Sequence, residues 1–353
     1  MELEAEMPRS GGQSTIHLQC SGGHGSPGCL NSNLERMSPH PTTPTRRRFL
    51  SSGLTAGLAG GLGLATSSGA GTVHRDASRD DLFDISLAQW SLHRALQGGT
   101  LDPFAFPKYA KDTFGIEAVE YVSTFYPGQA TNFASLTRLK QNADDAGVRS
   151  LLIMIDAEGS LADSDATKRA IAVERHFKWI SAARFLGCHA IRVNAHGDAP
   201  WEERRKLAAD SLHRLGRVGD EFEIDVIVEN HGGLSSNGKW LAEVMVAADH
   251  PRVGTLPDFG NFRMGDGEEY DRYQGVTELM PFARAVSAKT HRFDDQGNEM
   301  HTDYERMLKI VLDAGYRGHV GIEFEGSADE VDGIRLTQRL LERVRETLRP
   351  KYS

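Results

Sequence analysis

Cysteine is scarce in this chain of 353 residues, which holds three. Cys20 and Cys29 lie among the first 70 residues, so Cys188 stands alone beyond them and no intrachain disulfide can form there. Positive charge is also short. There are 40 Lys and Arg against 49 Asp and Glu. Five of the basic and four of the acidic residues fall in positions 1–70, leaving 35 against 45 and a net charge of −10 in the rest. An acidic domain repels phosphate backbones, which argues against a nucleic-acid partner. Long apolar runs are missing too. The uncharged segment from Ser51 to about Ala65 is too short and too glycine-rich for a stable membrane span. Finally, no G-x-G-x-x-G motif follows Trp90, the end of the first predicted strand, which speaks against a dinucleotide-binding doubly wound sheet.

What is present begins with a distinct leader. Residues 1–70 are rich in Ser, Gly and Pro and show no sustained periodicity. Within them, Arg46-Arg47-Arg48-Phe49-Leu50 precedes the short apolar run, and small residues follow near Ala65–Ala70. A basic region, an apolar region and small residues in that order describe an export signal. The paired arginines resemble the twin-arginine (Tat) signal, which exports folded proteins. This implies the Tat machinery as a partner of the precursor and a periplasmic or extracellular location. A mature part without disulfides is compatible with folding before export. Met37 lies just upstream of the arginines and reads as the true start, with Met1–Arg36 an extension.

The remaining 283 or so residues suit one large α/β domain. From Leu82 to Leu348, apolar runs of strand length alternate with segments of helical spacing. The predicted strands are 85–90, 116–122, 148–156, 189–194, 224–229, 253–258, 285–291 and 320–325, each followed by a predicted helix. Eight strand–helix units of this size predict a (β/α)₈ TIM barrel preceded by an export signal. Gly187 sits where a C-cap glycine would end the long helix 165–186.

In a barrel, the residues that end the strands converge at one face. The fifth strand runs through Val226-Ile227-Val228 and ends in Glu229-Asn230-His231-Gly232-Gly233. The sixth ends in Asp258, the seventh in Lys289-Thr290-His291, and the eighth in Glu323-Phe324-Glu325. Three carboxylates round one mouth repel one another, and a divalent cation removes that cost. A mixed oxygen and nitrogen set suits Mn²⁺, Mg²⁺ or Zn²⁺ without choosing among them.

Strand-end Glu, then Asp with a polar residue three on (Asp258, Asn261), then His, then Glu resembles the xylose-isomerase-like TIM-barrel superfamily. The stretches Val226–Gly233 and Leu256–Asn261 are similar to its sugar phosphate isomerase/epimerase branch. The resemblance implies Glu229, Asp258, His291 and Glu323 as metal ligands, with Glu229 and Glu323 also the acid and base. It departs at the seventh strand, where members carry His-x-His or His-x-Lys. A shift of one step in alignment would put Lys289 where His291 is expected. An ammonium cannot ligate a metal, and the site would then hold three carboxylates or be degenerate. Gln89, Trp90, Glu120, Asn194, His196, His231, Asn261 and Lys289 are candidate substrate contacts, since strand-end polar groups bond sugar hydroxyls and aromatic faces stack on sugar rings. Arg192 reads as paired inside the barrel, and His93, His301 and His319 as surface or cap residues.

The resulting expectation is a metal-dependent isomerase or epimerase acting on a sugar, keto-sugar or cyclitol through an enediolate. A lyase using the same base and metal is the rival enzyme, and a non-catalytic sugar-binding barrel is the third class. The AP endonucleases of the superfamily need an imidazole three residues after the strand-six Asp, where this chain has Asn261. Export and the lack of a phosphate-cradling loop favour an unphosphorylated carbohydrate. Barrels of this family often dimerise, and a homodimer stays open here.

Overall fold

The computed structural model describes residues 81–352. The leader, its arginines and Met37 lie outside them. Among the described residues, no helix is long and apolar enough to cross a membrane.

Eight strands build one parallel sheet: β1 (Asp84–Ala88), β2 (Ala118–Val122), β3 (Arg149–Met154), β4 (Ala190–Val193), β5 (Asp225–Glu229), β6 (Val253–Leu256), β7 (Val286–Thr290) and β8 (His319–Phe324). Consecutive strands pair from β1 to β6, and β8 pairs with both β1 and β7. The remaining seam, between β6 and β7, closes through single bridges, Thr255 with Ala283 and Asp258 with Ser287. There the Ser287 amide donates to Pro257 O and the Phe259 amide to Ser287 O, both at 3.0 Å. Helices follow the strands at Phe106–Phe114, Phe133–Ala146, Ala166–Leu186, Trp201–Phe222, Gly238–Ala248, Arg272–Leu279, Tyr304–Asp313 and Glu330–Tyr352. The fold is the TIM barrel expected from the alternation.

Local chemistry sets the element ends. Asp165 accepts from the amides of Thr167 and Lys168 and starts the long helix. Gly187 ends it at φ +83°, a left-handed conformation that disfavours a side chain. Two elements were not expected: a short helix at His93–Gln97 and a hairpin pairing Arg263–Gly265 with Glu268–Glu269. The first strand is also shorter than predicted. It stops at Ala88, and Gln89–Leu92 form a 3₁₀ turn, because the Gln89 side chain is drawn inward.

The strands separate two apolar layers. Val226, Val228, Val119, Ile153 and Ile191 face outward onto the helices. Ala88, Val122, Leu152, Met154, Ala190, Ile227, Leu256 and Ala285 form a smaller cluster inside the barrel. Side chains alternate along a strand. Inward Ile227 therefore puts Glu229 inward, Leu256 puts Asp258 inward, and Ala285 puts Ser287 and Lys289 inward. This parity builds the site.

Candidate active site

Glu229, Asp258 and Glu323 are buried at the C-terminal ends of β5, β6 and β8, with one oxygen of each within 4.8 Å of the others. The triad is compact enough to hold one cation. Glu323 lies beside Lys289 in the parallel register of β8 and β7. The Lys289 ammonium is 2.9 Å from Glu323 Oε1, 3.0 Å from Glu325 Oε2 and 3.8 Å from Asp258 Oδ2. Across the triad, Arg192 Nε is 2.7 Å from Glu229 Oε2, an ion pair without the alignment of a hydrogen bond. The guanidinium also reaches Asp156.

The family model of the xylose isomerase-like TIM barrel matches residues 107–346. The chain belongs to that family. A search of curated protein sequences finds no match. Among solved structures, it is similar to the E. coli 3-keto-D-glucoside 4-epimerase YcjR in its apo form (15% identity, TM-score 0.58, covering 74% of this chain and 99% of that one). An L-ribulose 3-epimerase is alike at 15% identity and TM-score 0.59, covering 76% and 96% of the two chains. The IOLI protein with a bound zinc atom is alike at 12% identity and TM-score 0.60, covering 76% and 99%. At such identities the likeness carries the fold alone.

In this xylose isomerase-like barrel, every oxygen of the triad has a protein partner within 3.0 Å. Glu229 Oε1 accepts from the Asn261 amide group at 2.9 Å, and Oε2 faces Arg192. Asp258 Oδ1 accepts from the amides of Gly260 and Asn261 at 2.7 and 2.8 Å. The Ser287 hydroxyl lies 3.0 Å from Asp258 Oδ2 and 2.8 Å from Glu323 Oε2, and has one proton for the two. Asn230 locks the loop beneath, donating to Asp258 O and accepting from its amide. Burial holds Asp258 well above the usual carboxylate range, while Lys289 pulls it down and Glu229 and Glu323 push it up. Burial alone would lower the Lys289 amine. Glu323, Asp258 and Glu325 outweigh it and keep it charged.

The residues present do not fit a divalent ion as they stand. A metal would share Glu323 and Asp258 with an ammonium that cannot ligate, 2.9 and 3.8 Å from their oxygens. His291, expected as a ligand, is not in the cluster. β7 ends at Thr290, so the alternation that turns Lys289 inward is not carried on to residue 291. The His291 ring instead meets His301 edge-on at 6.3 Å and is half-buried. Burial, and next the Lys289 charge, lower its basicity.

The other expected contacts divide into two sets. Asn194 is beside the site, donating to Asp156 Oδ1 at 3.0 Å, and Asn261 touches Glu229 directly. His196 and His231 stack at 5.8 Å, with His196 Nε2 2.9 Å from His231 O, in the loops after β4 and β5. Trp90 lies between His93 and Phe125, and its indole N–H donates to Glu325 Oε1 at 2.8 Å. Two residues sit away from the mouth. Gln89 is fully buried as a strut, donating to the Tyr126 hydroxyl at 2.9 Å and accepting from the Val122 amide. Glu120 lies inside the barrel, its Oε1 accepting from Ser86 at 2.6 Å and its Oε2 without a partner. Burial raises its carboxyl to about 7, with Glu323 and Glu229 adding to the rise and Ser86 opposing it.

Sequence reasoning did not single out Ser287 or Asp156, and noted Asn230 only as the amide beside Glu229. Asp156 ends a predicted strand and was within reach of the strand-end rule. Ser287 was not, because its role depends on the β6–β7 seam. A separate cavity of about 360 Å³, lined by Lys140, Arg149, Asp225, Arg284 and His319, opens at the N-terminal ends of the strands. Glu120 also lines it, so the cavity reaches into the barrel beneath the triad, whereas barrel chemistry belongs to the C-terminal face.

Proposed function

We propose that the protein is a sugar isomerase or epimerase that moves a proton between carbon positions through Glu229 and Glu323. One observation carries the reading. Two buried glutamates converge at the C-terminal face, each beside its own fixed cation, Arg192 for Glu229 and Lys289 for Glu323. Arg192 and Lys289 hold the two carboxylates in place at one mouth, and a positioned pair of carboxylates is what proton transfer at carbon requires. One glutamate, as carboxylate, takes the proton from the carbon next to a carbonyl, and the other, entering in its protonated form, delivers its own proton to that carbon or, for an isomerase, to the former carbonyl carbon. Asn261 orients Glu229, and Ser287 orients Glu323. Trp90, His196 and His231 belong to the loops that surround the mouth.

The substrate is an unphosphorylated sugar, keto-sugar or keto-glycoside. The leader supports this, since an exported enzyme meets free sugars and glycosides. The names of similar folds, a 3-keto-D-glucoside 4-epimerase and an L-ribulose 3-epimerase, support the same class. The test is proton NMR in D₂O on a panel of ketoses and 3-keto-glycosides. Deuterium should enter at one carbon, and Glu229→Gln or Glu323→Gln should each slow it by about 10²–10⁴-fold. Turnover confined to phosphorylated sugars, or exchange that survives both substitutions, sinks the reading.

A further inference from the structure

We propose that this barrel works without a divalent metal and that the Lys289 ammonium is its resident cation. The inference rests on the isomerase reading for its catalytic meaning, but on geometry alone for the cation. Lys289 is 2% exposed and reaches two members of the triad, at 2.9 Å from Glu323 and 3.8 Å from Asp258. It also has a carboxylate of its own. Glu325, outside the triad, receives it at 3.0 Å and is held from the other side by Trp90.

The slot is shaped for a lysine. A Cβ placed on Gly260 would lie 2.7 Å from Lys289 Cγ and 3.1 Å from its Cβ, so this glycine leaves the room that the stem occupies. The Tyr304 hydroxyl donates to Lys289 O at 2.8 Å and fixes the backbone at the same point. A divalent ion shared by Asp258 and Glu323 would face this ammonium at short range across a dry site, where like charges repel strongly. Asn261, Ser287 and two backbone amides meanwhile donate to three of the triad's oxygens, and Glu229 Oε2 faces the Arg192 charge. A buried carboxylate cluster needs positive charge, and the chain provides it covalently.

The test titrates the purified full-length protein with Mn²⁺, reading free Mn²⁺ by electron paramagnetic resonance, beside elemental analysis of the protein as isolated. The wild type should carry no stoichiometric divalent metal and show no saturable site up to millimolar Mn²⁺. Lys289→His supplies the missing ligand and removes the charge, and should tighten Mn²⁺ binding by at least about 10–100-fold. Adding Glu323→Gln to that variant should abolish the gain. One equivalent of divalent metal on the wild type, lost on Glu323→Gln, overturns the proposal. The wild-type titration decides this even if the histidine variant does not fold. The sugar assay is run with and without EDTA. Exchange insensitive to EDTA supports the proposal, and exchange abolished by EDTA and restored by Mn²⁺ overturns it. Absence of exchange under all conditions counts against the isomerase reading, while the metal titration still decides the cation.

Discussion

Glu120→Gln should stabilise the protein, and only at neutral to alkaline pH. Glu120 is 2% exposed, one of its oxygens has no partner, and Ser86 is its single hydrogen-bond donor. Its carboxyl is raised from 4.5 to about 7 in the folded protein, first by burial. A group whose folded value is raised contributes stability that is complete below the unfolded value. That contribution is lost as pH climbs through the folded one. For Glu120 the loss spans roughly pH 4.5 to 7. At 1.36 kcal/mol per unit, it amounts to about 3 kcal/mol. Glutamine keeps the shape and cannot ionise, so the variant escapes the loss. The assay is urea or thermal unfolding of both proteins at several pH values. Near pH 4.5 the two should be equal. At pH 8 the variant should lead by about 3 kcal/mol, or roughly 6–12 °C in Tm, taking the scaling of large domains. A variant no more stable than the wild type at pH 8 refutes the reasoning, as does a gain of the same size at both pH values.

Arg192→Leu leaves the buried Glu229 without its cation, beside the solvent-exposed Asp156, and urea unfolding should show a loss of about 3–5 kcal/mol. Gly260→Ala drives a methyl group into the Lys289 stem, and should cost about 1–3 kcal/mol of stability by calorimetry. Cys188 is buried and its thiol is pushed upward by that burial, so a thiol reagent should label it only as the protein unfolds in denaturant.

Much of the architecture was legible because it rests on local rules. The β-branched run Val226–Val228 has one conformation that suits it, and the alternation around it assigns Ile227 and Glu229 to the same side. Asp165 and Gly187 mark the ends of a helix by chemistry within a turn of each end. The strand-end rule likewise brought Glu229, Asp258 and Glu323 into one set before any tertiary contact was known. It also read Arg192 as paired inside the barrel, where the structure shows it between Glu229 and Asp156. The rule failed at Gln89, where a strand stops early and the side chain turns in to brace Tyr126 and Val122. It also failed to separate Glu120, which shares the inward parity but stands deeper in the barrel than the mouth.

By itself, then, the sequence determined eight strand–helix units and three strand-end carboxylates that must meet. Those follow from the alternation of apolar runs with helical spacing and from the convergence of strand ends in a barrel. Only the tertiary structure shows which of Lys289 and His291 stands beside the triad. The residues are two apart and have the same parity, so no local rule ranks them. The choice falls where β7 ends, at Thr290, and where Gly260 on the neighbouring strand's loop leaves room for a lysine stem. The closing seam, which carries Ser287 to Asp258 and Glu323, is equally a property of the whole barrel. It joins segments whose proximity depends on all eight strands staggering round to meet.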